Sequence, residues 1–250
     1  MSANPLRTAR LARGGAWVMV PLDHGVSMGP VPGLEDPRAA LRAAAAGGAT
    51  CVTLHKGLVR SAVEAGVAER LGVLLHLSAS SDSAPDSQDK RIVATVEEAL
   101  RLGCDGVSIH VNVGSLTEAR QLEEAGRVAT ACTEWGVPLV TMAYPRGPKV
   151  TNPHDPKLLA HAARLAAELG ADAVKVPYSG SPDTFRDVVK GCPVPVLVAG
   201  GPPRASLDGL LDDLRGARKA GARGASIGRN VFQHADPAAA VRAVAKVFEA

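Results

Sequence analysis

Short apolar runs rich in β-branched residues alternate along the chain with longer stretches whose apolar positions recur at helical spacing. Eight runs stand out: Trp17 to Leu22, Thr50 to Leu54, Val73 to Leu77, Gly106 to Val111, Pro138 to Ala143, Ala173 to Val176, Val194 to Ala199 and Ala225 to Ile227. They are apolar on both faces, as parallel strands covered by helices must be. Successive runs start at roughly the 30-residue interval that one right-handed strand-helix-strand unit consumes. The stretches between them include Asp36 to Ala46, Val93 to Leu102, Leu116 to Trp135, Asp155 to Leu169, Ser206 to Ala220 and Pro237 to Phe248. Many open on Asp, Ser or Pro, and several close on a glycine: Gly47, Gly103, Gly136, Gly170 and Gly221. Eight units closing on themselves predict a single-domain α/β fold, the TIM (β/α)8 barrel, over residues 16–250, with residues 1–15 as a lead-in helix. An open doubly wound sheet is the alternative architecture. Ser78 to Lys90 reads as a polar βα loop long enough to act as a lid.

Composition narrows the partners more than it changes the fold. At 46% apolar and 21% charged residues the chain is neither disordered nor collagenous. Cys51, Cys104, Cys132 and Cys192 show no CxxC pair and no zinc-ligand spacing, so they read as reduced, buried thiols, and a cytoplasmic protein is expected. No apolar run approaches the ~20 residues of a membrane helix. The N-terminal segment, with Arg7, Arg10 and Arg13, lacks the pattern of a secretory signal, and no membrane partner is expected. A net charge of +3 with 3% aromatic residues gives neither a basic block nor a stacking platform for nucleic acid, yet it suits small anionic ligands.

Barrels of this kind carry their working groups at the C-terminal ends of the strands. In order, those ends hold Asp23 and His24, then His55 and Lys56, then His76, then His110 and Asn112. The second half adds Tyr144 and Arg146, then Lys175, Tyr178 and Ser179, then Gly200 and Gly201, then Gly228, Arg229 and Asn230. Lys175 is the most telling, because it interrupts the buried-looking run Ala173-Val174-Lys175-Val176. Burial disfavours the ammonium, and a neutral amine can attack a carbonyl. At the ordinary pKa about one lysine in 2,500 is neutral at pH 7, and a pKa of ~7.5 would raise that fraction several-hundred-fold. A structural salt bridge across the barrel is the plain alternative. Tyr144 and Asp23 offer the acid and base that iminium formation and carbon-carbon bond making require. Their plain alternatives are a locally bonded core tyrosine and a capping or turn aspartate.

Gly200-Gly201 after the seventh run and Gly228-Arg229 after the eighth occupy places where barrels often bind phosphate, with backbone N–H groups and an arginine reaching the oxygens. A phosphorylated carbonyl compound is therefore the expected substrate. The rival chemistry is metal-based, since His24, His55, His76 and His110 end the first four runs. It leaves Lys175 without a role, and the sequence has neither the His-x-His pair on the first strand nor the carboxylate closing the eighth that barrel metallohydrolases use. No metal and no other cofactor is expected. A non-catalytic barrel that binds phosphorylated metabolites is the third reading.

Six ordered segments carry a resemblance: Val20-Pro21-Leu22-Asp23-His24-Gly25-Val26-Ser27-Met28-Gly29-Pro30, Leu54-His55-Lys56-Gly57, Ser108-Ile109-His110-Val111-Asn112-Val113-Gly114, Met142-Ala143-Tyr144-Pro145-Arg146-Gly147, Asp172-Ala173-Val174-Lys175 and Ala199-Gly200-Gly201-Pro202. Together they resemble the archaeal-type class I aldolases of the DeoC/FbaB group, over nearly everything from Trp17 to Phe248. The resemblance implies that Lys175 forms a Schiff base, that Tyr144 donates a proton and that Asp23 assists proton transfer. Substrate contacts are then expected from His24, His55, Lys56, His110, Asn112, Arg146 and Ser179, and phosphate contacts from Gly200, Gly201, Gly228 and Arg229. It also implies a ketose phosphate or dihydroxyacetone phosphate donor, an L-aspartate 4-semialdehyde acceptor, and a homo-oligomer as large as a decamer. Fructose-bisphosphate aldolases of the group read Ile-Glu-His where this chain has Val26-Ser27-Met28, which favours the synthases of the group. One departure follows Tyr178, where relatives often continue small-Gly-Asp and this chain reads Ser179-Gly180-Ser181.

Overall fold

The computed structural model describes residues 3–249. Eight strands, β1 (Trp17–Pro21), β2 (Cys51–Leu54), β3 (Gly72–His76), β4 (Gly106–Val113), β5 (Leu139–Pro145), β6 (Ala173–Val176), β7 (Val196–Ala199) and β8 (Gly224–Ser226), form a parallel barrel in chain order. It closes where β8 pairs with β1, Trp17 opposite Gly224 and Met19 opposite Ser226. Closure overturns the open doubly wound alternative, and all eight expected strands are present within a residue or two of their expected ends.

The helices are α1 (Pro5–Leu11), α2 (His24–Met28), α3 (Pro37–Ala46), α4 (Val59–Glu64), α5 (Val96–Arg101), α6 (Glu118–Trp135), α7 (Pro156–Glu168), α8 (Pro182–Lys190), α9 (Asp208–Lys219), α10 (Arg229–Phe232) and α11 (Pro237–Phe248). Caps explain several boundaries. Thr95 and Glu98 form a reciprocal capping box that starts α5 three residues later than the apolar pattern suggests. Asp36, Asp155 and Asp236 each accept a backbone N–H at the head of a helix whose first residue is proline. The αβ turns use aspartate as well: Asp105 accepts the Val73 N–H and Asp172 the Leu139 N–H, both at 2.9 Å. Each turn thereby ties the strand it enters to the neighbouring one.

Alternate residues of each strand divide between two cores. One set packs outward against the helices. The other fills the lower lumen with Trp17, Met19, Cys51, Leu74, Val140, Ala173 and Leu197, joined by Leu11 from α1. Leu11 is fully buried, and a side chain at Gly106 would run into it. Thr50 fastens this plug by donating from Oγ1 to the Leu11 carbonyl at 2.7 Å. With one end stoppered, a ligand can enter only from the C-terminal end of the strands.

The segment read as a lid is anchored instead. Ser78–Ala79 and Arg91–Ile92 pair as a small antiparallel ribbon over β4, where Ser78 Oγ accepts the His110 N–H at 2.9 Å. Two buried amides, Asn112 Nδ2 and Gln121 Nε2, both donate to the Gln88 carbonyl, at 2.8 and 2.9 Å. The four cysteines are free and buried, and burial pushes the Cys51, Cys104 and Cys132 thiols up to about 12. Among the described residues no helix is long and apolar enough to cross a membrane.

Candidate active site

The strand C-termini surround a cavity of about 800 Å³. Its floor is Lys175, 7% exposed, which lies beside Met142 on β5 and Leu197 on β7. Tyr144 sits two residues beyond Met142 on the same face, one pleat nearer the mouth. Among the described residues no carboxylate oxygen comes within 4.0 Å of Lys175 Nζ, so the salt-bridge alternative is not realised.

Asp23 stands at the end of β1, in the N-cap position of α2, yet its side chain makes no capping hydrogen bond. The carboxylate turns into the cavity, where Oδ1 is 3.4 Å from His24 Nδ1 and Oδ2 is 3.8 Å from His76 Nε2. Burial pulls the Asp23 carboxyl upward, but His76, His24, Lys175 and His55 facing it outweigh that and hold it below its ordinary value. Burial drives His76 down to about 4 against the pull of Asp23, so at neutral pH an anionic Asp23 faces a neutral His76. His76 Nδ1 shares a hydrogen with Ser108 Oγ at 2.8 Å, and its ring meets His55 edge-on at 5.3 Å. His24 and His55 are lowered by burial too, the pull of Asp23 notwithstanding.

On the next wall Tyr144 packs its ring 4.9 Å from His110 and under the Arg146 guanidinium, 4.8 Å from the ring centre. Burial, followed by the Arg146 and Lys90 charges, holds His110 well below the usual histidine range. Opposite, the loops after β7 and β8 act as one unit. Asn230 Nδ2 donates to the Gly200 and Pro202 carbonyls at 3.1 and 2.9 Å, while its Oδ1 accepts the Arg204 N–H at 2.9 Å. Gly201 adopts φ +69° with open space where a side chain would stand. Gly228 heads α10, and a Cβ there would lie 2.5 Å from His24 Cε1, so the His24 ring and the β8 turn are in direct contact. Gly200, Gly201, Gly228 and the half-buried Arg229 line the cavity on this side, with the Gly200 N–H bonded to the Ser226 carbonyl at 3.3 Å.

A family model, DeoC/LacD family aldolase, matches residues 17–234. The chain belongs to the DeoC/LacD aldolase family. It is 43% identical over 245 residues, 96% of this chain and 91% of the relative, to a 2-amino-3,7-dideoxy-D-threo-hept-6-ulosonate synthase of Halobacterium salinarum. It is 43% identical over 221 residues, 88% of this chain and 80% of the relative, to the 2-amino-4,5-dihydroxy-6-oxo-7-(phosphonooxy)heptanoate synthase of Streptomyces griseus. A solved archaeal fructose-1,6-bisphosphate aldolase, with its catalytic Lys covalently bound to the carbinolamine intermediate of the substrate, superposes with a TM-score of 0.88 at 32% identity, covering 97% of this chain and 98% of that one.

Most of the residues expected from sequence line the aldolase's cavity: Asp23, His24, His55, His110, Tyr144, Arg146, Lys175, Ser179, Gly200, Gly201, Gly228 and Arg229. Two do not. Lys56 follows His55 into a 3-10 turn that carries it over the barrel rim, and its Nζ binds the Val93 carbonyl at 3.1 Å and Glu98 Oε1 at 3.2 Å on the outside. Asn112 is fully buried behind the wall, with Oδ1 2.9 Å from His110 Nε2 and Nδ2 on the Gln88 carbonyl. It positions His110 and the ribbon loop and does not reach the cavity. Ser181, where relatives often carry an acid, caps α8 by accepting the Thr184 N–H at 3.3 Å. Tyr178 borders the cavity, but its ring packs on Phe185 and its hydroxyl lies against Gly216 on α9.

Sequence reasoning passed over Lys90, Arg204, His154 and Asp82, all of which line the cavity. They lie in polar loops without strand-end register, and only their charge within a βα loop could have flagged them. Among the described residues no group of three or more His, Cys, Asp or Glu side chains converges as metal ligands would, so the four strand-end histidines do not form a donor set.

Proposed function

We propose that this aldolase works through a Schiff base on Lys175 and joins a phosphorylated ketone donor, dihydroxyacetone phosphate or a ketose phosphate, to L-aspartate 4-semialdehyde. The observation that carries the reading is the placement of Lys175: an amine sunk in the floor of the cavity it shares with Asp23 and Tyr144, with no carboxylate in contact among the described residues. The amine adds to the donor C=O to give a carbinolamine. Protonation of its oxygen, assigned to the Tyr144 hydroxyl on the neighbouring strand, expels water and leaves the iminium. Loss of a proton from the donor carbon, or cleavage of a carbon-carbon bond in a ketose donor, then gives the enamine, with anionic Asp23 accepting the proton. The enamine carbon attacks the aldehyde, the new alkoxide takes a proton, and water hydrolyses the iminium to release product and restore the amine.

The donor phosphate is assigned to the corner formed by Gly200, Gly201, Gly228 and Arg229, where the arginine supplies a positive charge. The synthase reading is supported by identities of 43% to synthases against 32% to the solved fructose-1,6-bisphosphate aldolase.

The test is reductive trapping. Incubating the enzyme with dihydroxyacetone phosphate and borohydride should add the mass of one donor less water plus two hydrogens, mapped to the peptide bearing Lys175. Lys175→Met, checked for folding by circular dichroism, should give no adduct. An unmodified protein that turns over normally in borohydride would sink the proposal.

A further inference from the structure

The walls of the cavity are not alike in charge. Lys90, at the end of the ribbon loop between β3 and α5, and Arg146, just beyond β5, line the same side, across the barrel from the β7 and β8 corner. Neither forms an ion pair: among the described residues no carboxylate oxygen comes within 4.0 Å of Lys90 Nζ or of the Arg146 guanidinium. Burial lowers the Lys90 pKa, and the Arg146 charge lowers it further, while Asp82, Asp23 and Asp86 pull it back from outside contact distance. Two cations held on one wall repel each other, and in a partly dehydrated cleft that repulsion is only weakly screened.

The fold takes trouble to keep Lys90 there. Its backbone carbonyl accepts Arg120 Nη2 at 3.0 Å, and Arg120 also grips Asp89. Its N–H binds the Gln88 carbonyl at 2.9 Å, the same oxygen that the buried Asn112 and Gln121 amides hold. The ammonium rests on Ser80 Oγ, whose own hydrogen goes to the Ser87 carbonyl at 2.7 Å. Arg146 is braced by its position over the Tyr144 ring. A mobile surface lysine would not be held at this many points.

We propose that Lys90 and Arg146 form a second anion subsite, which grips the anionic head of the acceptor aldehyde and sets acceptor specificity. The inference rests on the proposed aldol reaction. With a phosphate-bearing donor in the β7 and β8 corner and Lys175 between the poles, an aldehyde whose charged head lies at Lys90 and Arg146 presents its carbonyl toward the donor carbon. The head is a carboxylate in an aspartate 4-semialdehyde-like acceptor, or a phosphate in a triose phosphate.

The experiment compares acceptors in Lys90→Gln and in the charge-preserving Lys90→Arg. The acceptors are L-aspartate 4-semialdehyde, succinate semialdehyde, glyceraldehyde 3-phosphate and uncharged butanal. In Lys90→Gln, kcat/KM for the anionic acceptors should fall at least tenfold more than for butanal, mainly through KM, and Lys90→Arg should recover most of the loss. Whether the carboxylates or the phosphate suffers more identifies the native head. Equal losses across all four aldehydes, or no rescue by arginine, would overturn the subsite. Borohydride trapping of dihydroxyacetone phosphate on each variant separates the two claims: an adduct with no acceptor discrimination refutes the subsite alone, and the absence of any adduct in the unaltered enzyme refutes the Schiff base.

Discussion

Asp23 and His76 face each other across 3.8 Å, one from the end of β1 and the other from β3, and neither makes a direct hydrogen bond to the other. The pair is set for proton handling by burial. A His76 held at about 4 is neutral at pH 7, and if its Nδ1 accepts the Ser108 hydrogen, its Nε2–H points toward the Asp23 anion. In the unfolded chain the same imidazole titrates near 6.5. Between these values the unfolded state binds the extra proton, so stability rises with pH across this window and is lost on acidification from about 6.5 to about 4. The interval corresponds to roughly 3 kcal/mol from His76. His24, His55 and His110, also lowered, act in the same direction. Urea unfolding at pH 7 and pH 4.5 should show the loss, and His76→Gln, which cannot titrate, should show a distinctly smaller one. Equal losses in both proteins would refute the assignment.

Tyr144→Phe removes one oxygen and keeps the ring that packs on His110 and beneath Arg146. If the hydroxyl supplies a proton in the aldol cycle, kcat should drop by about 10²- to 10⁴-fold with KM little changed. Thermal unfolding should be nearly the same as for the unaltered enzyme. If Tyr144 serves only packing, the variant would keep its turnover, and steady-state kinetics with saturating donor decides between the two.

What the sequence made legible follows from its regularity. Eight apolar runs of similar spacing leave little architecture to choose from, and the rule that barrel chemistry sits at strand ends brings Asp23, Tyr144 and Lys175 to one mouth from sequence alone. The rule fails one residue beyond a strand, where the chain can turn either way. Lys56 was expected inside because it follows His55, but the 3-10 turn that begins there swings it out to Glu98. Lys90 went unnoticed for the opposite reason. It belongs to a polar loop with no periodicity, and its inward placement depends on the Arg120, Asn112 and Gln121 contacts, which come from β4 and α6. Glycine at Gly228 was read as room for a phosphate, whereas its proximate cause is the His24 ring lying against it.

Leu11 tests the stopper at the other end. Fully buried and distant in sequence from the strands it touches, it closes the lumen beneath Trp17 and Leu74. Leu11→Ala should cost about 2–5 kcal/mol, the range for a large buried side chain whose cavity cannot collapse, here because β-strands surround it. Because Lys175 lies a layer above, borohydride trapping at 10 °C should retain its yield while the denaturant midpoint falls. A midpoint shift of less than about 1 kcal/mol would mean that α1 is only loosely docked.

Gly228 and His24 should prove energetically coupled. At Gly228 the space for a side chain is taken by neighbours. An added Cβ would lie 2.5 Å from His24 Cε1 and 3.1 Å from the Pro21 carbonyl oxygen. Gly228→Ala must therefore push the His24 ring or the β8 turn aside, at a cost of about 1–3 kcal/mol. If this turn holds the donor phosphate as proposed, its movement should also raise KM for dihydroxyacetone phosphate. Removing the ring in His24→Ala opens the space, so the double variant should be less destabilised than the sum of the two single changes, by about 1 kcal/mol or more in a double-mutant cycle. Additive effects would show that the turn yields and the ring does not, and the contact would then play no part in shaping the corner formed by the loops after β7 and β8.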